Sequence, residues 1–498
     1  MLLTGLLSIF TVKIMFLLVA GTVLGIIFGA IPGITVTMGV ALFLPITYGM
    51  VPLEAICLLC ALYIGGTSGG LISAVLLKIP GTPASVATTF DGHPLAMKGE
   101  AGKALGVGIV ASFFGGLFSY IVLMFLAPTL ARVTLQFGPY EYFSVALFSL
   151  TMIASMSGKS MLKGGISAIL GMIFAFVGMA PISGFPRFTG GLNALANGFT
   201  LLPALIGLFA VSQILEDVSK SKKIDIGTSF NYKIKGFGFT WEEAKSQKFN
   251  WAISSLIGTT IGILPGLGGA ICNLVAYGTV QKYSKYPEKF GTGIIDGVVA
   301  SESSNNACSG GAMVPLLTLG IPGDNTTAMI LAGFMIHGIT PGPLLFDTHA
   351  VLVYGVFAAL MVSNVIMLIA EFWGMRAFVR ILSIPTNILL PIVGVMCVIG
   401  AYGVNNRIFD VWTMLFFGVL GFIMKRFAMP LAPIILGFIL SPILESNLRR
   451  GLQKSMGDPS PFFTEPISLA FIIITVLIVA SIAYGEYKKS RLMAAREE

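Results

Sequence analysis

Apolar stretches long enough to lie in a bilayer recur along almost the whole chain, near residues 12–31, 36–48, 54–79, 104–127, 139–157, 162–180 and 197–215. After a polar interval at 216–250 they resume near 251–264, 267–281, 292–320, 326–336, 349–372, 387–404, 408–424, 428–443 and 466–486. A spanning helix needs about 20 mostly apolar residues, so the pattern predicts roughly a dozen or more membrane elements. Several segments are too short to cross, which predicts re-entrant or broken helices. Alternation with period 2, the mark of a membrane β-barrel, is absent. The first 30 residues show no cleavage-site pattern and read as a membrane helix, not a removed signal peptide. The expected fold is all-α and polytopic. Composition narrows it further, because 55% of the 498 residues are hydrophobic and 10% charged. A soluble domain carries about 25% charged residues, so soluble and disordered classes are excluded.

The two halves resemble each other. Gly25-x-x-x-Gly29-Ala-Ile-Pro32-Gly33 aligns without gaps with Gly258-x-x-x-Gly262-Ile-Leu-Pro265-Gly266. Gly69-Gly70 followed by Ile79-Pro80-Gly81 recurs as Gly310-Gly311 followed by Ile321-Pro322-Gly323. Matching Gly/Pro interruptions of hydrophobic segments in two halves point to a transporter site built on an internal repeat. Charge supplies the orientation. Lys282, Lys285 and Lys289 lie in the loop at 282–290, whereas its counterpart at 48–53 has no Lys or Arg. Lys98 and Lys103 follow the first Ile-Pro-Gly, whereas the counterpart loop at 337–347 has none. By the positive-inside rule these corresponding loops face opposite sides, so the repeats read as inverted. The expected organisation is a first membrane repeat at 1–215, a cytoplasmic linker at 216–250, a second repeat at 251–445, and an extra membrane helix with a basic tail at 446–498. Counting on from Lys98 places Lys159 and Lys163 inside and Arg187 outside. Arg449, Arg450 and Lys454 fall outside if the tail with Lys488, Lys489 and Arg491 is inside, against the rule. The formal charge of +8 is thus read as orientation and not as a nucleic-acid surface.

Four strings break helices: GAIPGIT at 29–35, IPGTPAS at 79–85, LPGLGG at 264–269 and IPGDNTT at 321–327. Backbone broken at membrane depth is tolerated only where it is buried in protein or lines a cavity. The half-helix that follows a break offers free N–H groups and partial positive charge to a carboxylate, and freed carbonyls can hold sodium. The ordinary alternative is a set of Pro kinks. The substrate-binding candidates are Pro32, Gly33, Pro80, Gly81, Thr82, Ser85, Thr88, Pro265, Gly266, Gly268, Pro322, Gly323, Thr326 and Thr327. The ion-coupling candidates are Glu302, Ser303, Ser304, Asn305, Asn306, Asp324 and Asn325, since hydroxyl, amide and carboxylate oxygens suit a hard cation. Against these stand interhelical hydrogen bonding for Ser, Thr and Asn, and a cap or surface role for Asp324 and Glu302. Asp91, in Asp-Gly-His-Pro, reads as a loop residue. His93 reads as a loop hydrogen-bonding group or a proton carrier, and Lys78 as an anion attractor or a snorkelling cation.

Cys57 and Cys60 have C-x-x-C spacing but sit in an apolar run and read as buried hydrophobes. Three histidines argue against haem or a multi-histidine metal site. GxxxxGK[ST], HExxH and GxSxG are absent, so no ATP hydrolysis or enzyme activity is expected. No cofactor is expected, and a transporter of this type must draw on an ion gradient. An ion-conducting channel with re-entrant helices is the alternative from another class.

The segment GTSGGLISAVLLKIPGTPASVATTFDGHPLAMKGEAGKALG at 66–106, with GAIPGIT before it and SESSNNACSGGAMVPLLTLGIPGDNTTAMILAGFMIHGITPGPLLF at 301–346, resembles the large membrane subunit of the tripartite tricarboxylate transporters, the TctA family. The resemblance extends over essentially the whole chain. Where members often have Asn before IPGTP, this chain has Lys78. The resemblance implies a secondary transporter importing tricarboxylates or dicarboxylates across a bacterial-type inner membrane, normally driven by sodium or protons as coupling ion. It implies as partners a small four-helix membrane subunit and an extracytoplasmic solute-binding protein, with no nucleic acid.

Overall fold

The computed structural model describes residues 2–31, 34–155, 161–220, 238–266, 268–381 and 386–497. Pro32, Gly33 and Lys159 lie outside the described residues, as does most of the linker, 221–237. The longer helices of the first half are α1 (Val12–Ala30), α2 (Val36–Phe43), α3 (Pro52–Leu77), α4 (Thr88–Leu95), α5 (Ala101–Thr134), α6 (Pro139–Ser155) and α7 (Met161–Ala175). Those of the second are α8 (Lys248–Ile263), α9 (Gly268–Tyr283), α10 (Ile295–Leu319), α11 (Asn325–Ile336), α12 (Ala350–Ile381), α13 (Thr386–Gly403), α14 (Ile408–Arg426), α15 (Leu431–Lys454) and α16 (Pro466–Glu497). Among the described residues seven helices are long and apolar enough to cross a membrane, and shorter apolar helices such as Val36–Gly49 and Asn325–Ile336 accompany them. The protein is all-α and polytopic, and its apolar segments do break where the four Gly/Pro strings stand.

By packing, the chain forms two compact units, Met1–Arg132 with Leu202–Phe422, and Val133–Leu201 with Ile423–Glu498. In the first unit α3 is buried along its whole spanning window, as expected of a helix apolar on every side. Small residues let its neighbour approach at backbone distance. A Cβ at Gly25 or Gly29 of α1 would overlap the backbone of Leu62 or Gly66, and one at Gly65 or Gly69 of α3 would overlap the carbonyl of Thr22 or Ile26. The same crossing recurs between α8 and α10, where Gly258 and Gly262 meet the carbonyls of Ser304 and Cys308, and Gly311 meets that of Thr259. Such glycine faces are how membrane helices gain van der Waals contact without a hydrophobic driving force.

Loops of this unit adjoin in pairs. Asp91 is buried within α4, not in a loop, and accepts from Tyr277 Oη at 2.8 Å, Gly293 N at 2.7 Å and Ile294 N at 3.0 Å. The turn-like sequence concealed a carboxylate whose three donors, all from the second half, make its burial tolerable. Glu243 shares a capping box with Thr240 and accepts from Lys103 Nζ at 2.5 Å, which holds its carboxyl below the usual carboxylate range. The lysine-free segments also meet: Val51–Leu53, His337–Ile339 and Asp347–Leu352 line one cavity of about 540 Å³.

In the second unit α7 crosses α15 through Gly171 and Gly437, each against the other helix's backbone. Ser144 of α6 and Ser468 of α16 share a hydrogen bond of 2.5 Å. A short antiparallel pair, Gly178–Met179 with Pro186–Arg187, presents Arg187, which donates to both oxygens of Glu445 at 2.7 and 3.1 Å. Arg449 donates to the same carboxylate at 2.9 Å. Arg187 and Arg449 therefore lie on one face and are both ion-paired, which lessens the weight of Arg449 as a free topogenic charge.

Candidate functional site

Each Ile-Pro-Gly break has the same local construction. The residue before it closes the preceding helix in the left-handed region, Lys78 at φ 57° and Gly320 at φ 71°. The residue after it opens the next helical turn with a capping box. Thr82 pairs with Ser85, whose hydroxyl accepts from Thr82 N at 3.2 Å and donates to Thr82 O at 2.9 Å. Asp324 pairs with Thr327, whose N donates to Asp324 Oδ1 at 2.7 Å while its hydroxyl accepts from Asp324 N at 2.8 Å. Side-chain oxygens that satisfy the first N–H groups of a helix explain why Thr and Asp stand there.

The breaks are packed in pairs within each half. Gly266 N donates to Gly323 O at 2.7 Å. A Cβ at Gly81 would overlap the Gly29 carbonyl and Ser73 Oγ, and one at Gly323 would lie 2.5 Å from Ala312 Cα. The two pairs then meet. Thr37 Oγ1 and Thr326 Oγ1 are 2.9 Å apart, Asn273 Nδ2 donates to Ala84 O, and Gly268, at φ 56°, faces Asp324 Cβ. Tyr63 Oη donates to Asp324 Oδ2 at 2.6 Å, and Asn305 Nδ2 donates to Thr67 O at 3.1 Å.

Four helical N-termini thus converge: those of α2, α9 and α11, and the turn Pro83–Ser85. Ala84, Gly266, Gly268, Asp324 and Asn325 are half-buried at this junction, while Gly81, Thr82, Ser85, Pro265, Pro322, Gly323, Thr326 and Thr327 are buried around it. Pro80 is half-buried in its break. Thr88 lies apart from this group. It is 3.0 Å from Ser301 Oγ and donates to Glu302, whose other oxygen accepts from Ser112 Oγ at 3.0 Å. Ser304 Oγ donates within its own helix to Ala300 O at 2.8 Å and Ser301 O at 3.0 Å. In contrast, Ser303 Oγ, Asn305 Oδ1, Asn306 Oδ1 and Asn273 Oδ1 are buried acceptors without a partner.

Sequence reasoning missed Asn273, Tyr63, Thr37 and, on α12, Glu371. Asn273 and Glu371 were detectable as lone polar groups inside apolar runs; Tyr63 and Thr37 carry no such signal. His93 Nδ1 is 3.0 Å from Val75 O, Lys78 is exposed, and all five cysteines are buried and free. Among the described residues no group of three or more His, Cys, Asp or Glu is placed to hold a metal ion.

Two relatives come from Agrobacterium vitis. An uncharacterised 52.8 kDa protein in the TAR-I ttuC' 3' region is 34% identical over 459 residues, covering 92% of this chain and 91% of the relative. An uncharacterised protein in the TAR-II ttuC' 3' region is 36% identical over 222 residues, covering 45% of this chain and 92% of the relative. No solved structure matches the chain. The tripartite tricarboxylate transporter TctA family matches residues 15–436, a stretch that contains all four breaks. With seven helices of spanning length and apolarity, this multi-pass protein of the bacterial inner membrane belongs to the tripartite tricarboxylate transporter TctA family.

Proposed function

We propose that the protein is the large membrane subunit of a cation-driven carboxylate importer, with substrate and cation held at the junction of the four breaks. The observation that carries this reading is the convergence of four helical N-termini around half-buried Gly266, Gly268, Asp324 and Asn325. Backbone N–H groups and aligned dipoles favour an anion there without the desolvation cost of a buried lysine. Pro80, Gly81, Pro265, Pro322 and Gly323 make the breaks, Thr82, Ser85, Thr326 and Thr327 supply caps and hydroxyls, and Pro32 and Gly33, outside the described residues, are included on their sequence alone. Asn305 Oδ1, Asn306 Oδ1, Ser303 Oγ and Asn273 Oδ1, buried and unpaired, are acceptors of the kind a sodium ion takes. Asp324 adds negative charge at the rim. Glu302 couples to this group from the next turns of α10.

The repeats are inverted in this reading. The basic segments lie beside one another: Asp91 of α4, ahead of Lys98, accepts from Gly293 and Ile294, just past the loop at 282–290, and Lys103 pairs with Glu243. The lysine-free loops adjoin one another at the cavity lined by Val51–Leu53 and His337–Ile339. That sorting is what inversion and the positive-inside rule require together. Cysteines placed singly at Lys233 and Gly342 should differ in labelling by an impermeant reagent applied outside; equal labelling contradicts inversion.

Family membership supplies the partners of the proposal, a small membrane subunit and an extracytoplasmic binding protein that delivers a tricarboxylate or dicarboxylate. The test is reconstitution of the chain with both in proteoliposomes. Saturable accumulation that requires a cation gradient and the loaded binding protein supports the proposal. Ohmic current independent of the binding protein replaces it with a channel.

A further inference from the structure

Glu371 lies within the spanning window of α12, Ala350–Gly374, and is 1% exposed. Its Oε2 accepts one hydrogen bond, from Ser68 Oγ of α3 at 2.8 Å, and its Oε1 is buried without a partner. No basic side chain among the described residues pairs with it. Glu302, another fully buried carboxyl of this unit, has both oxygens bonded to hydroxyls. A carboxylate with no counter-charge and a single donor, inside a membrane span, is far costlier than the neutral acid. The contact between α3 and α12 that buries Glu371 therefore requires a proton on it.

We propose that Glu371 is a proton-binding site of the transport cycle, occupied while α3 and α12 are packed together and emptied to water when that contact opens. The inference rests on the transport reading above and adds a second coupling group outside the break junction. Ser68 follows Thr67, whose carbonyl accepts from Asn305, and shares α3 with Tyr63, which holds Asp324. A movement of α3 that hydrates Glu371 also moves one wall of the junction. Water on one face gives the proton as the acid forms, and water on the other face takes it when the contact reopens; nothing else is transferred.

Among the described residues, the charged and titratable groups on the packed elements leave the carboxyl unneutralised. On α1 and α3, Lys13 and Glu54 pair with each other at 2.7 Å. Glu54 is 14 residues from Ser68, about 21 Å along the helix, and Lys78 is 10 residues away, about 15 Å. Tyr63, Cys57 and Cys60 of α3 carry no charge as neutral groups, and the short helix Leu2–Leu7 has no ionisable side chain. On α5, which meets α12 where Asn364 donates to Phe113 O at 2.9 Å, Lys103 is paired to Glu243 at 2.5 Å, and Arg132 is near the far end. Asp347 precedes α12. The side chains of Arg376 and Arg380 lie outside the described residues.

Infrared difference spectra of the full chain in lipid test the proton directly. The wild type should show a protonated-carboxyl C=O band at neutral pH that is lost in Glu371→Gln and shifted to higher frequency in Ser68→Ala. A spectrum in which Glu371→Gln loses no such band overturns the proposal. In proteoliposomes with the small subunit and binding protein, at fixed sodium, an inward proton gradient should accelerate uptake by the wild type, and Glu371→Gln should lose that acceleration. A wild type indifferent to the gradient, or a variant that keeps the response, also overturns it. A wild type that accumulates no carboxylate under any cation gradient fails the transport reading instead, and the infrared band still reports whether Glu371 is an acid.

Discussion

Tyr63 in α3 donates its hydroxyl to Asp324, the N-cap of α11, at 2.6 Å. Oδ1 of the same carboxylate accepts from Thr327 N at 2.7 Å and lies 2.9 Å from Thr327 Oγ1. A cap that belongs to the second half is thus fastened to a helix of the first. A hydrogen bond to a charged group contributes about 1.5–3 kcal/mol, so Tyr63→Phe and Asp324→Asn should each destabilise the protein. Their effects should be non-additive by a similar amount in a double-mutant cycle of thermal unfolding. Additive losses would mean that the two groups act separately.

The unpaired acceptors predict a division among the polar residues of α9 and α10. Removing one oxygen ligand should raise the half-saturating sodium concentration by about tenfold, the equivalent of about 1.4 kcal/mol. Asn273→Ala and Asn305→Ala should do so in uptake assays. Ser304→Ala should not, because that hydroxyl is bonded to Ala300 and Ser301 carbonyls. Unchanged sodium dependence in both Asn variants would remove these oxygens from the site.

Gly29 and Gly81 meet backbone atoms, not open space. Even alanine at either position must push helices apart, at a cost of about 1–3 kcal/mol or more, and recovery of folded protein should fall. Gly278 in α9 has nothing within 4 Å of a built Cβ, so Gly278→Ala should stabilise by up to about 1 kcal/mol through helix propensity. If all three variants behave alike in detergent melting, propensity alone governs these glycines.

Lys78 is a long side chain in a left-handed conformation, φ 57°, where the equivalent position of the second half has Gly320. Left-handed backbone costs a residue with a Cβ about 1–2 kcal/mol, and glycine and asparagine bear it more easily. Lys78→Gly and Lys78→Asn should raise the melting temperature. A fall in both would show that the lysine makes a contribution larger than its strain.

The spans and breaks were legible because glycine, proline and apolar runs act locally, within one turn of helix. The likeness of the two halves was legible because the same Gly/Pro strings recur in the same order. The partners of each break were not. Nothing local in Tyr63 or Thr37 tells that they face Asp324 and Thr326, since those contacts join residues hundreds of positions apart. Asp91 was misread as a loop residue for the same reason: its donors, Tyr277, Gly293 and Ile294, come from the other half. Glu371 stood in plain view as an acid in an apolar run, and its single hydroxyl partner on α3 appears only in the packed structure.

The most direct measurement of the central claim is protection of the junction by substrate. Ala84 is half-buried there, with its carbonyl bonded to Asn273, and the five native cysteines are buried. A cysteine introduced by Ala84→Cys should react with a hydrophilic maleimide, and one introduced by Met456→Cys, 98% exposed in the other unit, serves as reference. The carboxylate that the reconstituted vesicles accumulate, added with the coupling cation at ten times its half-saturating concentration, should slow labelling at position 84 by about tenfold. Labelling at position 456 should not change. Equal labelling of Ala84→Cys with and without substrate, in vesicles that still take that substrate up, would contradict a binding site at the four breaks.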